Sequence, residues 1–267
     1  MGTKGSFLKF KADIWPVTTI CIGLLLSLLP FIFQGPSMLM LASVGVGFRI
    51  LVPIHQHYHS HLSTFRSEIG NFIYDIILSL TGGNLTALWK VHHGLGHHVE
   101  YLDQKKDLEG NLRFGTNIKA RRFVFTVLGD FLSLYDSLKF LNGFSKTIQK
   151  KYRGDILRQF GIQIMLFAVL FLISWKLTLL IFIVPNLFLR WAVFWFSYGQ
   201  HDELPMTGVY DSSTTRFHLN FILLNVGLHT AHHEKPGLHW SLLPKRTKEI
   251  LPLIDPVCLT KRFGKVL

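Results

Sequence analysis

Four long apolar segments constrain the fold of this chain more than any other feature of its sequence. An α-helix of about 20 apolar residues crosses the roughly 30 Å hydrocarbon core of a bilayer. Each segment is close to that length, and few charges interrupt any of them. We therefore predict transmembrane helices at residues 14–33, 37–54, 156–175 and 177–196.

Short connections join these segments in pairs. "QGPS" separates the first segment from the second, and little more than Lys176 separates the third from the fourth. Because helices joined by such short connections lie antiparallel to each other, each pair should form a hairpin. The sequence thus predicts an all-α integral membrane protein with four transmembrane helices in two hairpins. We expect residues 1–267 to form a single domain.

The distribution of charge indicates how the hairpins are oriented. The chain has a net charge of +12, yet "QGPS" carries no charge and the other turn carries only Lys176. Basic residues are concentrated in residues 55–155 and 245–265. Cytoplasmic segments of membrane proteins have an excess of Lys and Arg, so we predict that both termini and the central segment are cytoplasmic. Since topology accounts for the basic residues, we predict no nucleic-acid partner.

The central segment contains two further helical candidates. "FIYDIILSLTGGNLTALW" (72–89) and "FVFTVLGDFLSLYDSLKFL" (123–141) have apolar stripes and polar faces, a pattern typical of helices that lie on a surface. We expect them to lie along the membrane interface or to form a cytoplasmic helical cap. A fifth, short span at 72–89 is the main alternative.

Histidine is concentrated in three short windows. Twelve of the fourteen histidines fall in residues 55–61, 92–98 and 229–239, all on the predicted cytoplasmic side. Imidazole is a suitable ligand for iron, copper, zinc or nickel. Eight or more histidines without cysteine exceed the about four ligands that one zinc ion needs. The windows therefore predict one site with two metal ions, carried by the cytoplasmic cap.

The spacing of the histidines within the first and third windows is helical. In "HQHYHSH", His55 with His59 and His57 with His61 are i, i+4 pairs, and each pair shares a helix face. In "HTAHH", His229 precedes histidines three and four positions later, so all three imidazoles should point the same way.

The middle window, "HHGLGHH", is less regular. His93, His97 and His98 stand at i, i+4 and i+5, with two glycines between them. Each glycine weakens a helix by about 1 kcal/mol, so the geometry of this window is the least secure of the three. Metal-bound imidazoles commonly donate their second N–H to a carboxylate. The carboxylates that follow the window are Asp103, Asp107 and Glu109.

These motifs resemble those of the membrane-bound fatty acid desaturase and hydroxylase superfamily, which have the forms HxxxH, HxxHH or HxxxHH, and HxxHH. The corresponding boxes here are "HYHSH" (57–61), "HGLGHH" (93–98) and "HTAHH" (229–233), and "EKPGLHWSLLP" is similar to the proline-bearing tail after the last box. The resemblance covers roughly residues 45–245. It implies a di-iron site with dioxygen as co-substrate.

The resemblance also bears on the choice within the first box. "LSTFRSEIGN", which follows His61, is similar to the family's continuation after the second histidine of that box. This favours the pair His57 and His61, with His55 and His59 as the alternative that stays open.

Family members often carry one more histidine after the fourth span, preceded by Asn four residues earlier. His201 fits this position, with Ser197 in place of the Asn. We assign His218 and His239 to capping, packing or hydrogen-bonding roles, and His92 to hydrogen bonding beside the ligands or to the surface. The metal ligands that the resemblance implies are His57, His61, His93, His97, His98, His201, His229, His232 and His233.

The resemblance implies an enzyme that introduces a double bond into a fatty acyl chain carried by lipid, coenzyme A or carrier protein. The alternative is a hydroxylase or monooxygenase acting on an acyl, alkane or carotenoid-like substrate. "HGLGHH" leans towards the alkane-hydroxylating branch, and "PGLHWSLLP" leans towards acyl desaturases. Either enzyme needs a separate electron donor such as ferredoxin or cytochrome b5. A histidine-rich metal transporter is a distant alternative, because transporters place ligands near the bilayer midplane.

Overall fold

The computed structural model describes residues 6–103, 105–110, 118–202, 204–215 and 219–259. Their regular secondary structure is helical, and their extended pairing is limited to isolated bridges such as that between Leu8 and Phe65. The all-α prediction is confirmed. The α-helices are α1 (Ile14–Ile32), α2 (Pro36–Phe48), α3 (Leu51–His61), α4 (Glu68–Gly82), α5 (Thr86–Trp89), α6 (Ile118–Leu141), α7 (Lys146–Thr178), α8 (Val184–His201), α9 (His229–Glu234) and α10 (Leu243–Ile250).

The chain divides into two compact units, each built from two separate segments. Unit 1 comprises Met1–Trp89 and Leu141–Trp191, and unit 2 comprises Lys90–Phe140 and Ala192–Leu267. Unit 1 therefore contains the long apolar helices and the first histidine box. Unit 2 contains the second and third boxes.

In unit 1, α1 and α2 pack closely as a helical hairpin. They touch at Gly23 and Gly45, where a Cβ added to Gly45 would lie 2.6 Å from the Gly23 carbonyl oxygen. Small residues allow two helix backbones to approach in this way. The first two apolar segments thus form the predicted hairpin, with a close backbone contact at these two glycines.

The second apolar segment is not one continuous helix, although the sequence predicts a single span at 37–54. Helices α2 and α3 meet at a 41° bend beside Arg49. The Arg49 guanidinium is fully buried and donates to the Thr81 carbonyl at 2.9 Å, the Ile181 carbonyl at 2.6 Å and the Asn186 side chain. A buried cation needs such acceptors, and the break brings Arg49 to them.

The third and fourth apolar segments fold back on each other. Ser174 has an extended backbone (φ −161°, ψ 102°) inside the helical stretch. The rings of Phe167 and Phe182 are 6.4 Å apart, whereas 15 residues of straight helix would separate them by about 22 Å. The chain therefore reverses near Ser174, close to the predicted turn at Lys176.

By length and composition, two helical stretches of the described chain are able to cross a membrane, Lys11–Ile32 and Lys146–His201. The bent pair α2–α3 gives a third if it counts as one span. The predicted candidates at 72–89 and 123–141 are both helical, forming α4 with α5 and α6 respectively.

Unit 2 contains an aromatic cluster of Phe125, Phe194 and Tyr198. Arg246 on α10 forms a two-point ion pair with Glu234 at the end of α9, with Nε 2.8 Å from Oε2. His239 accepts a hydrogen bond from the Ser241 backbone N–H and begins the following turn, which confirms its capping role. His218 lies outside the described residues.

Candidate metal centre

The middle histidine box lies on and just after a π-helical segment, Lys90–Leu95. The His93 carbonyl accepts from the His98 N–H at 3.0 Å and from the His97 N–H at 3.2 Å. The first of these is the i→i+5 bond of a π-turn, a feature found frequently at functional sites. In this wider turn the residues four and five positions after His93 lie on either side of it. The i, i+4, i+5 spacing therefore brings three imidazoles together.

Gly96 allows this turn to pack against the loop that follows it. A Cβ on Gly96 would lie 2.4 Å from Leu108 Cδ1 and 2.7 Å from the His92 carbonyl oxygen. The Leu108 N–H donates to the Gly96 carbonyl at 3.1 Å. By contrast, a Cβ on Gly94 would meet nothing within 4 Å. The close approach thus depends on only one of the two glycines.

Four buried histidines of unit 2 form one candidate metal group. The Nε2 atom of His233 lies 3.3 Å from Nε2 of His97 and 3.0 Å from Nε2 of His229, which in turn lies 3.1 Å from Nε2 of His201. The ligand atoms of all four lie within 4.8 Å of one another. They come from the middle box, the last box and the C-terminal end of α8.

Three more histidines of unit 2 form a second group. His98 Nε2 lies 3.0 Å from His93 Nε2 and 3.0 Å from His232 Nε2. The rings of His98 and His233 stack with their centroids 4.4 Å apart, so the two groups adjoin. Unit 2 thus brings together seven of the nine predicted ligands.

Two buried carboxylates orient the imidazoles of the middle box. Glu109 Oε1 lies 2.7 Å from His93 Nδ1, and Asp107 Oδ1 lies 2.9 Å from His97 Nδ1. Because a carboxylate only accepts, each Nδ1 carries the proton and each Nε2 faces the other histidines. The third predicted carboxylate, Asp103, is instead exposed and pairs with Lys106.

The electrostatics of the four-histidine group differ from one member to the next. Burial opposes the charge on His97, but Asp107 and Glu109 outweigh it and raise the pKa of His97 to about 9. Burial and the neighbouring imidazoles hold the pKa of His233 well below its ordinary value. His233 is therefore a neutral imidazole at physiological pH, the form that binds metal.

The seven histidines have the chemistry of a metal donor set. Imidazole nitrogens this close repel one another when all are protonated and present converging lone pairs when all are neutral. A metal cation satisfies those lone pairs together. Nitrogens bound at about 2.1 Å to one metal lie roughly 3.0–3.4 Å apart, and the Nε2 separations here are 3.0–3.3 Å.

The first box lies on α3 in unit 1. His57 and His61 are partly exposed there, with their ring centroids 5.5 Å apart. His55 and His59 are each only 1% exposed, and protein groups contact both ring nitrogens of each. The two pairs therefore have different surroundings, although the sequence spaces them identically.

Two side chains near the histidine groups make contacts that the sequence did not predict. The Tyr101 ring packs against His233 and His201, with centroid separations of 4.3 and 5.3 Å. Ser197 donates to Glu109 Oε2, so the residue at the family's Asn position supports the carboxylate that orients His93. No pattern in the sequence indicates Tyr101. The resemblance to the family identified Ser197 as standing at the Asn position, but it did not indicate that Ser197 contacts Glu109.

Comparison with known proteins identifies the family. The family model for fatty acid desaturases matches residues 27–264, nearly the whole chain. No curated protein and no solved structure matches the sequence at a significant level. The match includes all three histidine boxes, and with the apolar helices it marks the chain as a membrane protein. The chain belongs to the fatty acid desaturase family.

Proposed function

We propose that this chain is an oxygen-dependent di-iron membrane enzyme that introduces a double bond into a fatty acyl chain. The observation that carries the proposal is the pair of adjoining imidazole groups in unit 2, whose Nε2 atoms are spaced like the ligands of metal ions. Family membership supports an oxidoreductase that acts on acyl chains.

The proposed ligands are divided between two iron ions. His97, His201, His229 and His233 supply four nitrogens for one ion, and the group of three supplies the second. We assign His57 and His61 to complete that second set, because the alternative pair already uses its ring nitrogens in contacts within the protein. The full proposed set is His57, His61, His93, His97, His98, His201, His229, His232 and His233.

Bound iron would supply the activation of dioxygen that an unactivated C–H bond requires. In balance, two hydrogen atoms leave the acyl chain, and two electrons and two further protons arrive from outside, so that one dioxygen becomes two waters. Asp107 and Glu109 hold one proton at Nδ1 of His97 and of His93, so that a metal would bind at Nε2 and displace any proton there. Tyr101 packs against the imidazoles and excludes water from that side.

The proposal includes the predicted topology and partners. Both termini and the histidine boxes are cytoplasmic, as the charge distribution indicates. A separate donor such as ferredoxin or cytochrome b5 supplies electrons and docks on the basic cytoplasmic side. The acyl substrate is carried by lipid, coenzyme A or carrier protein.

The second candidate is a hydroxylase or monooxygenase on the same scaffold. The observation that favours it is the three-residue interval of the middle box, "HGLGHH", which resembles the alkane-hydroxylating branch. Both activities use the same imidazole groups, so only the product distinguishes them.

The test is expression of the chain in a host of known lipid composition, with mass spectrometry of the fatty acids and metal analysis of the purified protein. We expect about two irons per chain and a new fatty acid that lacks two hydrogen atoms. A product that gains one oxygen atom would instead identify the hydroxylase.

Two variants control this test. His233→Ala, which removes a nitrogen from the four-histidine group, should abolish the product. His239→Ala, which removes a cap outside both imidazole groups, should leave it. A purified protein that holds zinc or nickel, moves it across proteoliposomes and forms no new lipid would refute the enzyme proposal and favour the transporter.

A further inference from the structure

Helix α3 carries four histidines at alternate positions, and the proposed ligands account for only two of them. His55 and His59 share one face of α3 and are almost completely buried, at 1% exposure each. His57 and His61 share another face and are partly exposed. The buried pair needs its own explanation, because a buried imidazole is costly unless its nitrogens are hydrogen-bonded.

His55 lies between a carboxylate and a phenol. Its Nε2 lies 3.3 Å from Asp13 Oδ1, and its Nδ1 lies 2.7 Å from the Tyr74 hydroxyl. The carboxylate only accepts, so the proton is on Nε2 and the Tyr74 O–H donates to Nδ1. Asp13 and Tyr74 are each 2% exposed, so water does not compete for these contacts.

His59 also lies between a hydrogen-bond donor and a carboxylate. The Thr64 backbone N–H donates to its Nδ1 at 3.1 Å, and the Thr64 hydroxyl lies 2.8 Å from the same atom. Because Nδ1 accepts, the proton is again on Nε2, which lies 3.0 Å from Asp75 Oδ1. Gln159 donates to the other oxygen of Asp75 at 3.3 Å.

Both imidazoles therefore adopt the same tautomer and have no nitrogen to spare for a metal. Binding a cation at either Nε2 would break a buried contact with a carboxylate. Binding one at Nδ1 would displace the Tyr74 hydroxyl or the Thr64 N–H. This is the reverse of His93 and His97, whose carboxylates lie at Nδ1.

The N-terminal segment extends this network. The Lys9 N–H donates to the Thr64 carbonyl at 2.9 Å, and the Arg66 N–H donates to the Phe7 carbonyl at 3.1 Å. The rings of Phe7 and Phe65 lie 5.1 Å apart. Residues before α1 thus hold the loop that follows α3, while Asp13 holds His55 within α3. One segment therefore contacts both the middle of α3 and the loop at its C-terminal end.

We propose that Asp13 and Asp75 are positioning residues that act through His55 and His59. They fix the rotation of α3 about its axis, so that the face carrying His57 and His61 is held ready for metal. Holding ligands in place before the metal arrives is what raises affinity in such sites. The proposal deepens the proposed function and depends on its assignment of His57 and His61 as ligands.

The test compares Asp13→Leu with Asp13→Asn and with Asp155→Leu, a matched control at a half-exposed carboxylate of α7. Metal affinity is measured on the purified full chain by chelator competition with iron. We expect Asp13→Leu to bind one of two metals at least about tenfold more weakly, because His57 and His61 would no longer be held in place, an effect of the size seen when a ligand loses its own hydrogen-bonding partner. Asp13→Asn, which keeps an acceptor for Nε2–H, should lose less, and Asp155→Leu should match the wild type.

A second measurement separates positioning from general damage to the fold. Diethyl pyrocarbonate modifies accessible imidazoles, and mass spectrometry of the metal-free protein locates the modified residues. We expect His55 to be protected in the wild type and modified in Asp13→Leu, with thermal unfolding within a few degrees of the wild type. If Asp13→Leu does not purify as a single species, the same two readouts on Asp13→Asn decide the question.

The proposal fails if Asp13→Leu binds both metals with wild-type affinity. It also fails if His57→Ala and His61→Ala keep both metals while His55→Ala and His59→Ala lose one, since His55 and His59 would then be the ligands. A wild-type protein that binds no metal would refute the proposed function instead. In that case the labelling of His55 alone tests whether Asp13 holds it.

Discussion

At the scale of single residues, the two carboxylates of the middle box decide what the histidines can do. Asp107 and Glu109 each contact an Nδ1 atom and so direct the opposite nitrogen towards the other imidazoles. Neither carboxylate contacts solvent, because both are at most 3% exposed. The negative charge of a buried carboxylate also stabilises the positive charge of a metal ion bound to the neighbouring imidazole.

Asp107→Asn should therefore weaken metal binding by about 10- to 100-fold, as loss of a hydrogen-bonding partner of a ligating histidine generally does. Chelator competition on the purified protein measures the change. Asp103→Asn is the control, since the Asp103 side chain is exposed and pairs with Lys106, and it should bind metal like the wild type. Equal affinities for the two variants would contradict the role given to Asp107.

At the scale of secondary-structure elements, a π-turn explains a histidine pattern that no regular α-helix accommodates. The segment Lys90–Leu95 widens the turn so that His97 and His98 both follow His93 into the metal groups. The turn remains packed because Gly96 accepts the Leu108 N–H at close range. The close approach of Leu108 thus explains Gly96, whereas nothing in the structure explains Gly94.

Gly96→Ala and Gly94→Ala form a matched pair at this turn. The alanine at 96 should push Leu108 and the His92 carbonyl aside and lower both metal content and thermal stability, by about 1–3 kcal/mol of unfolding free energy for overpacking. The alanine at 94 meets open space and should be neutral or slightly stabilising, because alanine favours helix. Metal analysis and thermal unfolding check both, and equal effects of the two alanines would contradict the packing argument.

At the scale of the whole molecule, helix α6 has an unusual distribution of side chains. It exposes Phe131 (74%) and Tyr135 (61%) while it buries Asp130 and Asp136. A helix facing water normally does the opposite. Lipid covering these side chains, as at a membrane interface, would account for the pattern. The interfacial position and the cytoplasmic cap both stay predictions.

The topology predicted from charge is testable with reporter fusions. A reporter active only in the cytoplasm should be active when fused after Leu267 and inactive when inserted in "QGPS" at residues 34–37, because this uncharged turn is expected outside. A reporter of the opposite preference provides the control for expression. Activity of the cytoplasmic reporter at 34–37 would overturn the orientation.

The sequence by itself determined the elements and the kind of chemistry. Apolar length predicted the helices, short connections predicted antiparallel neighbours, and histidine spacing together with the family's motifs named seven residues that unit 2 gathers. Each of these features depends on residues close together in the chain, so the sequence alone is enough to predict it. The pairing of His57 and His61 with the second metal stays a prediction.

Tertiary structure decided what local patterns leave undetermined. It placed the break at Arg49, whose acceptors Thr81 and Ile181 lie 32 and 132 positions away. It also brought His55 into contact with Asp13, 42 positions before it. This contact distinguishes two histidine pairs that have identical spacing. The physical reason is that buried polar groups must find partners, and the partner is set by how distant segments pack rather than by the residues beside them.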